Sequence, residues 1–197
     1  MPTKYLVKFE RGYYYHVFNR AVGDENLFYG PGDYKEFKKH IKNQLGAHGS
    51  ILCYCLMPNH YHLLFHVADN QEVNVKKAIP EAIRQLEIKH AQRINFERDR
   101  KGTLFMRPYK RICVTTEGNL FRLFHYIHLN PVHHGISESY ENYKWSSFSE
   151  ICLGSSNIID YEEVIELFQD LDNFRESHKI VFKLKQASPV PQDEFEK

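Results

Sequence analysis

The 197-residue sequence has no long apolar run, no Cys-x-x-Cys pair and almost no net charge. A membrane span needs about 18 or more consecutive apolar residues, and the first residues lack the charged and then apolar layout of a secretory leader. These absences predict a globular, cytoplasmic protein without membrane contact. Reduced thiols fit that compartment, and they are expected at all four cysteines: Cys53, Cys55, Cys113 and Cys152.

The net charge of +1 conceals an uneven charge distribution. Residues 76–111 hold eleven Lys or Arg and four acidic residues, a local charge of +7, whereas 160–197 hold ten acidic and five basic residues, a local charge of −5. A local basic patch can bind nucleic acid even when the whole chain is near neutral. A solvated helix face followed by an acidic tail has the same composition, so charge alone leaves both interpretations open.

Hydrophobic periodicity predicts an α+β fold, with strands rich in aromatic and β-branched residues and helices with apolar residues every three or four positions. The predicted strands are 13–20, 50–57, 60–67 and 110–114, and the predicted helices are 33–45, 73–98 with a break near Pro80, and 119–130. The order β-α-β-β-α-β with a further helix predicts a ferredoxin-like (RRM-like) antiparallel sheet with helices on one face and a C-terminal extension.

The chain is long enough for one domain with additional segments. Residues 1–150 are predicted to form the sheet domain. A helical extension, 151–185, is predicted to pack on it, with Asp160 capping a short helix at 161–170. Two prolines and mixed charge predict a disordered tail at 186–197.

The segment PNHYHLLF, residues 58–65, places two histidines around one large residue in a predicted strand. Because strand side chains alternate between faces, His60 and His62 point the same way, roughly 6.5–7 Å apart at their Cα atoms. Two imidazoles at that separation can converge on one divalent cation. His-x-His alone is nevertheless a weak signal of a metal site.

A second segment, YIHLNP at residues 126–131, strengthens this interpretation. Tyr126 and Asn130 are four positions apart and share one helical face. If this face lies over the histidine pair, two imidazoles and an amide oxygen can hold Mg²⁺ or Mn²⁺ with open positions, and the tyrosine can act as a covalent nucleophile. Alternatively, Tyr126 is a half-buried helix aromatic and Asn130 ends the helix before Pro131.

Five segments appear together over about residues 12–150: Tyr15-His16-Val17-x-x-Arg20, Met57-Pro58-Asn59-His60-Tyr61-His62-Leu63-Leu64, Gly102-x-Leu104-Phe105-x-x-x-Tyr109-Lys110, Tyr126-Ile127-His128-Leu129-Asn130-Pro131-Val132 and Tyr143-x-Trp145-Ser146-Ser147. With these segments the chain resembles the HUH single-strand DNA transposases that use one tyrosine, an IS200-like family, and in particular the REP-associated tyrosine transposases.

The resemblance implies a metal-dependent endonuclease and strand transferase that cuts single-stranded DNA beside a hairpin. Tyr126 would form a 5′-phosphotyrosine link and leave a free 3′-hydroxyl. His60, His62 and Asn130 would bind Mg²⁺ or Mn²⁺. The enzyme would act as a monomer or homodimer. Residues 106–108 and 133–134 depart from the family's usual sequences, which leaves the recognised DNA sequence open.

Cations and aromatic rings together suit a single strand's backbone and bases, although they also occur on ordinary solvated surfaces. The predicted DNA-binding residues are Arg20, Arg107, Tyr109, Lys110 and Arg111. Two other functions are compatible with the sequence. One is a non-catalytic regulator that binds single-stranded nucleic acid on the same sheet, as RNA-binding domains do. The other is a hydrolytic metallonuclease, which would use water and would not need Tyr126.

Overall fold

The computed structural model describes residues 5–69 and 72–187. Within these residues the chain forms four strands and six helices: β1 (Tyr14–Arg20), α1 (Pro31–Leu45), β2 (Gly49–Met57), β3 (His60–Val67), α2 (Val75–Glu97), β4 (Lys110–Val114), α3 (Glu117–His133), α4 (Phe148–Cys152), α5 (Tyr161–Phe168) and α6 (Leu171–Ala187). No helix of this described part is long and apolar enough to cross a membrane.

The strands form one antiparallel sheet in the order β2-β3-β1-β4, which confirms the predicted ferredoxin-like arrangement. Phe18 of β1 lies opposite His62 of β3 and Lys110 of β4. Directly opposed residues point to the same face of a sheet, so these three side chains share one face. His16 and Arg20 join them there because side chains alternate along β1.

Helices α1 and α2 cover the opposite face. Phe37 of α1 packs against Tyr61, with ring centroids 5.2 Å apart, and Glu87 of α2 accepts a 2.8 Å hydrogen bond from the Tyr61 hydroxyl. Burying each Leu, Ile or Phe side chain contributes roughly 1.5–3 kcal/mol. Six such residues hold this layer together: Phe37, Ile41, Leu45, Ile79, Ile83 and Leu86.

Two prolines lie inside helices without ending them. Helix α2 continues through Pro80, so the predicted break there is wrong. An interior proline costs about 3 kcal/mol, and burial of the neighbouring apolar face of α2 offsets that cost. Helix α3 likewise continues through Pro131 to His133. Asn130 is therefore an interior helix residue rather than the residue that ends α3.

The chain after α3 forms α4, α5 and α6. Asp160 caps α5 as predicted, because its carboxylate accepts the Glu163 N–H at 3.2 Å. His178 of α6 is within 2.8 Å of His128 of α3, which connects the two helices. The predicted tail at 186–197 lies outside the described residues except for its first two residues, which end α6. The domain division at residue 150 stays a prediction.

Candidate active site

Strand β3 places His60 and His62 on the sheet face that α3 crosses. Their ring centroids are 5.2 Å apart, as the alternation of strand side chains predicts. The turn before β3 is fixed from outside the hairpin, because the Pro58 carbonyl accepts the N–H groups of Leu27 and Phe28 at 2.7 and 3.0 Å. These two hydrogen bonds therefore fix the end of β3 that carries the histidine pair.

Helix α3 turns Tyr126 and Asn130 towards this histidine pair. Asn130 is fully buried, and its Oδ1 lies 3.0 Å from His60 Nε2. The Tyr126 ring meets the His62 ring edge to face, with centroids 5.5 Å apart and planes at 89°. The rotation of α3 that produces this arrangement is set by its buried apolar stripe: Leu120, Leu123, Phe124 and Ile127.

His62 is buried, with 1 % of its surface exposed. Burial holds the pKa of His62 well below 6.5, and the nearby His16, His60 and His134 lower it further. The ring is therefore neutral at pH 7. A neutral imidazole is the form that ligates a metal ion.

Two neighbours engage the Nδ1 atoms of the histidine pair. His16 Nε2 lies 2.9 Å from His62 Nδ1, and Asn59 Oδ1 lies 2.7 Å from His60 Nδ1. His134 is a third neighbour, with its ring centroid 4.8 Å from that of His60. None of these three neighbours was among the predicted site residues, although His134 follows Asn130 by four positions and so shares its helical side.

The types of donor atom suit a divalent cation, and two of the three donors have the spacing of adjacent ligands. Adjacent ligands of an octahedral Mg²⁺ at 2.0–2.1 Å are about 3 Å apart, which is the separation of His60 Nε2 and Asn130 Oδ1. A hydrogen bond between these two atoms has the same length, so the separation is compatible with both the metal-bound and the metal-free protein. No group of three or more His, Cys, Asp or Glu in 5–69 and 72–187 is arranged to hold a metal. A cation here would therefore need the Asn130 amide oxygen as its third protein ligand.

A cavity of about 610 Å³ opens beside the histidine pair. Its walls include three predicted DNA-binding residues and two aromatic rings: Arg20, Arg107, Lys110, Tyr5 and Phe18. The Lys110 ammonium lies 4.9 Å from the centroid of the Tyr5 ring. This volume is within the range of small-ligand pockets, and cations beside aromatic rings suit single-stranded nucleic acid.

The other two predicted DNA-binding residues, Tyr109 and Arg111, are not part of the wall described for this cavity. Arg111 alternates with Lys110 along β4 and therefore faces the other side of the sheet. Its Nε donates to the Val7 carbonyl at 2.5 Å, and its guanidinium lies 5.2 Å from the Tyr109 ring centroid. The fold thus separates this pair from the residues around Tyr126.

Asn19 connects the cavity to a carboxyl group beneath the sheet. Its amide nitrogen donates to Glu87 at 2.8 Å and to the Met106 carbonyl at 2.9 Å, which holds the segment bearing Arg107 against β1. Burial raises the pKa of Glu87 to about 7, although hydrogen bonds from Asn19 and Tyr61 and the nearby Arg107 act to lower it.

The fold and the site define a class of α+β domain in which a histidine pair on one antiparallel sheet meets a tyrosine from a crossing helix. Residues 10–130 match the family model described as "Transposase IS200 like". The chain therefore belongs to the IS200-like transposase family, and we class it as a transposase.

The fold is similar to that of a solved structure, a REP-associated tyrosine transposase bound to a REP hairpin. The TM-score is 0.64 at 13 % sequence identity, over 80 % of this chain and 90 % of the other. At this identity the likeness establishes the fold. No curated protein sequence matches the chain at a significant level.

Proposed function

We propose that this transposase is a metal-dependent single-strand DNA endonuclease and strand transferase, with Tyr126 as its nucleophile. One observation carries the proposal: residues from distant parts of the chain meet at one place on the sheet. Asn130 lies 3.0 Å from His60, 70 positions away in the sequence, and the Tyr126 ring contacts the His62 ring. An amphipathic helix with no catalytic role would not require this convergence.

The Tyr126 hydroxyl oxygen is buried in the DNA-free structure, so the proposed reaction requires that DNA binding uncover it. The hydroxyl then loses its proton to water, and its oxygen attacks the scissile phosphorus. The bond from phosphorus to the 3′-oxygen breaks, the 3′-oxygen takes up a proton, and the 5′-phosphate remains esterified to Tyr126. One phosphoester bond replaces another. A 3′-hydroxyl can later attack this phosphotyrosine, which rejoins the strand and restores the phenol.

His60, His62 and Asn130 would hold Mg²⁺ or Mn²⁺. When bound, the cation polarises a phosphoryl oxygen and orients the phosphate. None of these protein ligands carries a negative charge, so the full positive charge remains available to the phosphodiester. Arg107 and Lys110 would bind the DNA backbone beside the cavity.

We propose a DNA hairpin with a single-stranded flank as the substrate, by likeness to the solved transposase and its bound REP hairpin.

The sheet edges favour a monomer over a homodimer. The Leu56 N–H on edge strand β2 donates to the Trp145 carbonyl at 2.9 Å, and Leu6 forms a bridge to Arg111 on edge strand β4. Covered edges are poor templates for pairing with a second sheet. Light scattering after size exclusion should give a mass near 23.4 kDa, and a dimer mass would contradict this.

The test of the nucleophile uses labelled hairpin DNA and Mn²⁺, resolved on a denaturing protein gel. Wild type should give a covalent protein–DNA band that both Tyr126→Phe and His62→Ala abolish. Tyr13→Phe is the matched control, because Tyr13 is 47 % exposed and outside the site; it should retain the band. Cleavage that survives Tyr126→Phe without a covalent band would replace this proposal with hydrolysis. Hairpin binding without cleavage of any tested DNA would favour a regulator.

A further inference from the structure

His16 is a buried polar residue that the proposed chemistry does not use. It is 0 % exposed, and its Nε2 lies 2.9 Å from Nδ1 of His62. Its ring is held between two aromatic side chains. It stacks on Phe18 with centroids 4.4 Å apart, and it meets Tyr126 edge to face at 6.0 Å. The ring therefore has little freedom to turn away from His62.

A hydrogen bond between two imidazoles needs one donor and one acceptor. A neutral imidazole carries a proton on one nitrogen and a lone pair on the other. If His62 donates from Nδ1, its Nε2 keeps a lone pair and can ligate a metal. If His62 accepts at Nδ1, its proton lies on Nε2 and that nitrogen cannot be a ligand.

His60, the other histidine of the proposed metal site, has a parallel arrangement. Its Nδ1 lies 2.7 Å from Asn59 Oδ1, and its Nε2 lies 3.0 Å from Asn130 Oδ1. An amide oxygen only accepts, so His60 donates from Nδ1 to Asn59 in the metal-binding form. His62 has the equivalent arrangement, with Nδ1 engaged by the protein and Nε2 remaining as the candidate ligand atom.

We propose that His16 is a positioning residue that accepts the Nδ1 proton of His62 and so fixes its Nε2 as a metal ligand. The inference rests on the proposed metal site. Most metal-bound histidines donate their second N–H to a carboxylate, a carbonyl or water, and loss of that partner typically weakens metal affinity 10–100-fold. A neutral imidazole in this position orients the ligand without adding negative charge to the site.

The first test measures Mn²⁺ affinity by calorimetry in the absence of DNA. His16→Phe keeps a flat ring against Phe18 but removes the acceptor, and should weaken Mn²⁺ binding about 10–100-fold. His16→Gln can present an oxygen near the original Nε2 and should recover most of the affinity. Wild-type affinity in His16→Phe would overturn the proposal. So would His16→Gln binding as weakly as His16→Phe, because shape rather than the acceptor would then be responsible.

His90→Phe is the matched control for loss of a buried histidine. His90 is 0 % exposed, and its Nε2 lies 2.7 Å from the Leu27 carbonyl, beneath the opposite sheet face. This variant should have a lower melting temperature and wild-type Mn²⁺ affinity. A matching loss of affinity in His90→Phe would attribute the effect of His16→Phe to general destabilisation and overturn the proposal.

The second test reads the His62 proton directly in metal-free protein. Long-range ¹H–¹⁵N spectra of histidine-labelled protein should show His62 protonated at Nδ1 in wild type and at Nε2 in His16→Phe. A wild-type His62 protonated at Nε2 would overturn the proposal. Neither test uses DNA or the Tyr126 hydroxyl, so a failure of covalent cleavage would reject the proposed function while leaving both readouts interpretable.

Discussion

A chain of buried hydrogen bonds behind α3 should make the protein lose stability as pH falls below about 6.5. His178 Nδ1 lies 2.8 Å from the Phe174 carbonyl, which only accepts, so His178 carries its proton there. Its Nε2 then accepts from His128 Nδ1 at 2.8 Å. His128 Nε2 in turn accepts from the Ser147 hydroxyl at 2.8 Å. A further proton on either ring would occupy a nitrogen that now accepts a hydrogen bond.

The pKa values agree with this chain. Burial lowers the pKa of His128 to about 3 and holds the pKa of His178 well below 6.5. At these two positions the unfolded chain therefore binds more protons than the folded chain below pH 6.5. The stability contributed by the two neutral histidines is fully present above pH 6.5 and is lost as pH falls towards the folded-state values. When the pH falls from 7.5 to 5.5, each histidine lowers the free energy of unfolding by about 1.4 kcal/mol, and the two together lower it by about 3 kcal/mol.

Urea unfolding followed by circular dichroism at the two pH values measures this loss. His128→Gln keeps a donor and an acceptor but cannot titrate, so its loss between pH 7.5 and 5.5 should be smaller than that of wild type by about 1.4 kcal/mol. An equal loss in the two proteins would refute the reasoning.

His66 provides a control, because its contribution to stability should depend on pH in the opposite direction. A hydrogen bond to Glu163 is the main cause that raises its pKa, so its contribution to stability is present below pH 6.5 and is lost as pH rises through its folded-state pKa. His66→Gln should therefore lose more stability on acidification than wild type. A smaller loss would show that this pair does not stabilise the charged imidazole.

Three further variants test the surroundings of the site. Burial raises the pKa of Glu87 to about 7, so a fall in pH from 7.5 to 5.5 should raise the contribution of this group to the free energy of unfolding by about 2 kcal/mol. Glu87→Gln should lack that contribution in urea unfolding. Arg107→Ala should reduce the salt dependence of single-strand binding by about 0.7 in log–log slope, measured by fluorescence anisotropy. Arg111→Ala should leave that slope unchanged, and an equal decrease in both would contradict the assignment of Arg111 to the other face. Ser147→Ala leaves His128 and the Tyr54 N–H without this hydroxyl and should lower the free energy of unfolding by about 2–6 kcal/mol, at 1–3 kcal/mol for each of the two unsatisfied buried groups. The neighbouring Ser146→Ala should lower the free energy of unfolding less in the same assay, because the Ser146 hydroxyl accepts a longer, local hydrogen bond from the Phe148 N–H at 3.3 Å.

Periodicity predicted the local geometry of the site. Alternation along β3 placed His60 and His62 on one face, and the four-residue spacing placed Tyr126 with Asn130, because both rules depend only on backbone repeat. The same alternation separates Arg111 from Lys110 once β4 is assigned. The predicted grouping of these two residues was based on composition and did not apply that rule.

Contacts between distant segments could not be predicted in this way. The bond between His16 and His62 depends on the register that places Phe18 opposite His62, and register is set by packing and turn geometry. Tyr5 also lines the cavity, but it lies in a segment without a periodic pattern of apolar residues, so the sequence did not predict its position. The uninterrupted helix at Pro80 is a tertiary effect, since the buried face of α2 outweighs one missing hydrogen bond.

Helix α3 is fixed from two sides, and this gives the C-terminal helices a part in the candidate site. Its sheet side carries Tyr126, and His128, two residues later, lies about 200° around the helix and faces α6. His128 is joined through Ser147 to the Tyr54 N–H on β2, at 2.8 and 2.9 Å. The position of the tyrosine over the histidine pair therefore depends on a hydrogen-bond chain that anchors the back of α3 to the edge of the same sheet. Since His178 of α6 completes that chain, α6 helps to hold α3 in the position that brings Tyr126 to the histidine pair.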